Sequence, residues 1–112
     1  MEGTIKVSLN IRDTLEKIEH AIVGGSITGE RIDSYEIATS NGRRCVVSVY
    51  EKHYYRAGNR LTLTIVADDI EGATRVHCIS GGGGEGLFRF DWGAAESFSG
   101  IVFQTLEAYC IE

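Results

Sequence analysis

The sequence predicts an α+β fold in the order β-α-β-β-β-β-α, an antiparallel sheet with two helices packed on one of its faces. Three observations carry this reading. Apolar residues alternate strictly over residues 4–9 and then switch to helical spacing from Ile11. Four further β-rich runs are separated by short turn signals, so strands adjacent in sequence are expected to be adjacent in the sheet. The chain then closes on a long apolar segment of helical period, and two amphipathic helices need a sheet face to cover. At 112 residues the whole chain, 1–112, is expected to form one α+β domain with a core of its own.

The first strand runs from Thr4 to Leu9, with Ile5, Val7 and Leu9 on one face and Thr4, Lys6 and Ser8 on the other. Ile11, Leu15, Ile18 and Ile22 then fall on one helical stripe, while Glu16, Lys17 and Glu19 are expected to face water. Asn10 suits the N-cap, Asp13 the positive helix end, and Gly24-Gly25 the stop. Residues 26–32 read as a connection, and β character resumes at Ser34 with Tyr35, Ile37 and Thr39. Asn41-Gly42 predicts a hairpin with a type I′ turn, which needs positive φ at both central residues. A long β-rich run follows from Cys45 to Tyr55. Ala57-Gly58-Asn59 marks a turn, Leu61, Leu63 and Ile65 another half-apolar strand, residues 68–72 a third turn, and residues 74–79 a further strand. Val76 and Cys78 are assigned to the core, Arg75 and His77 to the outside.

Leu87 to Phe90 is expected to be a short extended piece, with Asp91 capping the closing helix. Ala95, Phe98, Ile101, Val102, Leu106 and Tyr109 form its broad apolar face. Trp92, Phe103 and Cys110 make a second stripe, roughly opposite. That second stripe is either buried or meets a partner chain, which makes Trp92, Phe103 and Cys110 the predicted interface of a homo-oligomer. The element order is similar to that of helix-grip and TATA-binding-protein-like folds, a likeness of architecture that carries no function.

The formal net charge of −5 and a pI near 5.2 argue against nucleic-acid binding, because a phosphate-binding surface is normally basic. No apolar run approaches a membrane span and no secretory leader is visible, so a cytoplasmic protein is expected, away from membranes. Three cysteines without CxxC spacing suit reduced thiols, with Cys110 the most exposed.

The run Ser80-Gly81-Gly82-Gly83-Gly84-Glu85-Gly86 is the most unusual segment, because glycine is the residue costliest to order. It matches GxGxxG as a string, but no helix opens inside it, no Gly-Lys-Ser/Thr is present, and Glu85 would repel a phosphate. It is therefore read as a hinge that carries Phe88, Phe90 and Trp92 to the sheet. A ligand gated by that hinge would meet Gly82, Gly83, Gly84, Arg89 and Trp92, with Tyr50, His53 and Tyr54 supplying polar anchors. Glu51 and His53 share one strand face and form the one candidate acid–base pair. His77-Cys78 cannot serve one ion, since neighbouring strand residues point to opposite faces, and His53 and His77 are expected two strands apart. No metal site, cofactor or catalytic residue is assigned.

Residues 80–96, reading Ser-Gly-Gly-Gly-Gly-Glu-Gly-Leu-Phe-Arg-Phe-Asp-Trp-Gly-Ala-Ala-Glu, resemble a segment of a family of small uncharacterised bacterial proteins, a domain of unknown function. The resemblance implies a bacterial cytoplasmic origin and transfers no activity. The first-ranked function is a non-catalytic module that binds itself or a partner. A small-molecule binder with its pocket between the closing helix and the sheet ranks second, and an enzyme using Glu51 and His53 third.

Overall fold

Where each strand puts alternate side chains decides this architecture. The computed structural model describes residues 2–25, 29–54, 59–82 and 92–111. The elements are β1 (Glu2–Val7), α1 (Ile11–Glu19), β2 (Glu30–Ala38), β3 (Arg44–Tyr54), β4 (Asn59–Asp68), β5 (Thr74–Gly82) and α2 (Trp92–Leu106). The strands form one antiparallel sheet in the order β1-β5-β4-β3-β2. The predicted class and element order are those observed.

Residues paired across antiparallel strands share a face, so the register sorts the sheet into two sides. One side presents Val7, Val46, Tyr50, Leu61, Leu63, Ile65, Ala67, Val76 and Cys78, all buried. Ile11, Ile18 and Ile22 from the first helix, with Val102 and Leu106 from α2, complete the same cluster. Both helices therefore lie on this side, and among the described residues no layer covers the other side of the sheet. Phe103 is half-buried and packs against the core, its ring tip 3.2 Å from where a Cβ on Gly3 would stand. The ring rests on the glycine of β1.

α1 starts as its sequence dictates. The Asn10 side chain accepts the Asp13 N–H at 2.7 Å, and Asp13 sits in the positively polarised first turn. The helix does not run unbroken to its glycines: His20–Gly24 forms a π-helical turn. Gly25 closes it, and a Cβ there would lie 2.6 Å from the Ala21 carbonyl oxygen.

Three expectations need correcting. β2 begins at Glu30, because Glu30 and Arg31 pair with Glu51 and Tyr50, so only residues 26–28 of the expected connection fall outside the described residues. The Asn41-Gly42 hairpin is not type I′: only Gly42 has positive φ, at 86°. Its N–H bonds Thr39 O at 3.1 Å, and the Thr39 N–H bonds Arg43 O at 2.8 Å, the three-residue loop with a glycine bulge. Asp69 to Gly72 makes a similar turn, the Gly72 N–H bonding Asp69 O at 3.0 Å with Gly72 at φ 105°, but the Asp69 N–H bonds Arg44 O on β3 instead of closing the loop. Third, Asp68 is not a solvated turn residue. It ends β4, nearly buried, gripped by Arg75 Nη2 at 3.0 Å and Nε at 3.2 Å, and it accepts the Ile70 N–H at 3.1 Å. Ala57-Gly58, Leu87–Phe90 and Asp91 lie outside the described residues.

The two edges of the sheet are treated differently. Beside β1, Cys110 pairs with Val7, the Ser8 N–H bonds Tyr109 O at 2.8 Å, and the Ile111 N–H bonds Lys6 O at 3.0 Å. Among the described residues no strand lies beyond β2, and all nine of its residues are exposed.

Gly25→Ala is expected to lower the unfolding free energy by about 1–3 kcal/mol in urea denaturation, since the new methyl meets a backbone carbonyl that cannot swing away. Arg75→Met is expected to cost about 1–3 kcal/mol by the same measurement, by leaving the Asp68 carboxylate desolvated without its cation.

Candidate functional site

Two surfaces stand out, one on each side of the sheet. On the helix side a groove of about 350 Å³ runs between α1 and the β2–β3 pair, lined by Leu15, Glu16, Glu19, His20, Arg31, Ser34, Ser48 and Tyr50. Tyr50 and Ser48 are buried at its floor. The Tyr50 hydroxyl donates to Glu19 Oε1 at 3.2 Å, and Arg31 Nη1 donates to the same oxygen at 2.8 Å. Ser34 and Ser48, directly opposed in the register, bring their hydroxyls to 3.2 Å. Burial and the neighbouring Glu19 carboxylate hold the Tyr50 phenol well above its ordinary range. A second groove, of about 670 Å³, separates the two helices and is lined by Leu9, Asp13, Glu16, Lys17, His20, Ala21, Thr105 and Tyr109, with the Lys17 ammonium 5.1 Å from the Tyr109 ring centre.

On the open side, the register builds rows that cross the sheet. Tyr35, Val47, Val66, His77 and Thr4 form one row; Asp33, Val49, Thr64 and Ile79 form the next. A third contains Ile37, Cys45, Asp68, Arg75 and Lys6. Tyr35 is 63% exposed, Ile37 48% and Ile79 44%, which is unusual for large apolar side chains grouped on one face. Val47, Val49 and Val66 are half-buried between them. Charged pairs stand at both ends of this patch: Asp68 with Arg75 at 3.0 Å, and Glu51 with Arg60 at 3.6 Å.

The residues singled out from the sequence are dispersed over these surfaces. Tyr50 lies under α1, on the opposite face from Glu51 and His53, which point to the open side opposite Thr62 and Arg60. Tyr54 ends β3, Gly82 ends β5 and Trp92 opens α2; Gly83, Gly84 and Arg89 lie outside the described residues. His53 and His77 sit on β3 and β5 with β4 between them. His77 Nδ1 is 2.6 Å from the Thr4 hydroxyl. Among the described residues no three His, Cys, Asp or Glu side chains gather as a metal-binding group. Cys110 is exposed, Cys45 half-buried and Cys78 buried, all as free thiols. Burial pushes the Cys78 thiol up to about 12, and burial with the Asp68 charge raises Cys45, partly opposed by Arg75.

Glu19, His20, Arg31, Ser34 and Ser48 were not legible as a group. Helical spacing alone points Glu19 to water, and Arg31 falls in a segment that reads as a connection. The bulge at Ile32 breaks the alternation there, so no periodic signal extends β2 ahead of Ser34.

A family model spans the whole of this architecture, from residue 2 to residue 110. The chain belongs to DUF6054, a family of unknown function. Membership in DUF6054 thus covers both helices and all five strands, well beyond the glycine-rich segment. No curated protein and no solved structure matches the chain. Among the described residues, no helix of this DUF6054 member is long and apolar enough to cross a membrane.

Cys78 and Tyr50 hold their protons more tightly folded than unfolded. Their stabilising contribution is therefore complete below the ordinary thiol value of 9.0 and is lost as pH rises through the raised folded values. The unfolding free energy is expected to fall above that pH, with a limiting slope of about 1.4 kcal/mol per pH unit per group. Urea titrations between about pH 8 and 11 check this, and Cys78→Ala flattens the first part of the decline.

Proposed function

We propose that this protein is a non-catalytic module that self-associates, a second copy packing its open sheet face against the first. The observation that carries the reading is the apolar patch of Tyr35, Ile37, Val47, Val49, Val66 and Ile79 on a sheet face that neither helix covers. An antiparallel sheet commonly leaves one face to water, and that face is then polar. Here the centre of the face is apolar and its ends are ion-paired, the arrangement of an interface with a dry core and a wet rim.

Geometry supports a second copy as the occupant. Five strands about 4.8 Å apart and about nine residues long, at about 3.3 Å each, span roughly 700 Å². That is close to the ~800 Å² each partner contributes to a stable association. A two-fold axis through the patch lays valine on valine and lets charges of both signs at the rim meet their opposites. The same proposal places the protein in the cytoplasm, where its three free thiols stay reduced.

Light scattering on the full chain is expected to give about twice the 12.3 kDa mass at concentrations near 100 µM. The double variant Tyr35→Glu/Ile37→Lys alters two exposed side chains and is expected to be monomeric with an unchanged circular dichroism spectrum. A monomeric parent, or a variant that still dimerises, overturns the reading.

A further inference from the structure

Two irregularities of the backbone face each other across the groove between α1 and β2. In β2 the register slips between Arg31 and Asp33: Arg31 pairs with Tyr50 and Asp33 with Val49, leaving Ile32 as an extra residue. Strict alternation would put Arg31 on the face of Asp33, Tyr35 and Ile37, pointing away from the helices. The bulge turns Arg31 to the opposite face, with Ser34, and delivers its guanidinium to Glu19. On the facing element, α1 opens into the π-helical turn His20–Gly24 directly after Glu19. Glycine at 24 leaves room for the His20 ring, whose Nδ1 would be 3.3 Å from a Cβ there. Among the described residues this is the only shift of register within a strand pair and the only π-turn, and both cost regular hydrogen bonding. π-turns and bulges concentrate at functional sites, where they aim side chains that regular structure would misplace.

We propose that this groove binds a small zwitterion of the free amino-acid class. Its volume of about 350 Å³ lies at the small end of ligand pockets. Its charges come in both signs. Glu19 spends Oε1 on both Tyr50 and Arg31, and among the described residues Oε2 has no partner. Arg31 donates Nη1 to Glu19, and its guanidinium also acts on the Tyr50 hydroxyl, so its charge stands at the groove floor. The two side chains are 41% and 47% exposed and both line the groove, so a ligand can reach Glu19 Oε2 and the Arg31 fork. A ligand carboxylate suits the planar fork of Arg31, and a ligand ammonium suits Glu19 Oε2 beside Glu16. A bare anion would meet the two carboxylates, and a bare cation would meet the guanidinium. The buried hydroxyls of Ser48 and Tyr50 form a polar floor, and Leu15 offers an apolar wall for a short side chain.

The site is independent of self-association, since it lies on the opposite side of the sheet from the apolar patch. The test is a titration of the isotope-labelled full chain with individual L-amino acids, followed by amide chemical shifts. Acetate and methylammonium serve as the single-charge arms. At least one amino acid is expected to shift Leu15, Glu19, His20, Arg31 and Ser34 saturably, with a dissociation constant of about 1 mM or tighter. Acetate and methylammonium are expected to bind at least ~10-fold more weakly. Arg31→Gln is expected to weaken the amino acid by ~10-fold or more, and Lys17→Gln, in the groove between the helices, to leave it unchanged. If Arg31→Gln disturbs shifts beyond β2, Ser34→Leu, which fills the floor from the exposed strand, takes its place and gives the same loss. Absence of any saturable shift in the groove, binding unaffected by these variants, or acetate binding as well as the amino acid overturns the proposal.

Discussion

The structure depends on one constraint: a five-stranded sheet has two faces, and the helices among the described residues cover only one. Everything inward follows from that side. β3, β4 and β5 place every second residue under α1 and α2, and the largest fully buried strand side chains, Tyr50, Leu61, Leu63 and Ile65, come from β3 and β4. Because alternation has a period of two, the residues left over form the other face as a set. Val47, Val49 and Val66 are outward because Val46, Ser48, Ile65 and Ala67 are inward. The apolar patch is thus built from the remainder of the core strands, and β2 extends it beyond the reach of the helices.

Polar burial obeys the same economy of partners. Asp68 lies nearly buried on the open side because Arg75, directly opposite in the register, forks onto it and the Ile70 amide caps it. Tyr50 reaches under α1 and finds Glu19, whose charge is in turn answered by Arg31. In each case a strand end or a helix end brings the partner, so the ion pairs mark where elements meet.

Much of this was legible in the residues. The alternation at 61–65 and the Asn10 cap translate directly into the observed elements, because each rests on local periodicity; the strand expected over 4–9 is Glu2–Val7, and the α1 stripe holds as far as Glu19, before the π-turn. The assignment of Val76 and Cys78 inward and of Arg75 and His77 outward survives for the same reason. What was not legible depends on departures from period. A bulge at Ile32 reverses which face Arg31 occupies, and a π-turn changes the phase after Glu19; neither leaves a residue signature comparable to a cap or an Asn-Gly pair. Asp68 misled for a related reason. Its neighbours Asp69 and Gly72 are turn residues, and only the long-range pairing with Arg75 distinguishes it from them. The groove residues come from separate elements and gain meaning only once β2 lies beside α1.

The short segment at 109–111 that lies along β1 has a consequence for growth. A sheet with two bare edges can add copies at both ends without limit, and such stacking is the geometry of a fibre. Here one edge is already occupied by the chain's own Cys110 and Ile111, so among the described residues β2 is the edge left for lateral addition, which would end after a single event. The pairing of Val7 with Cys110 thus works as a stopper, and removing it would turn a molecule of finite reach into a repeating unit.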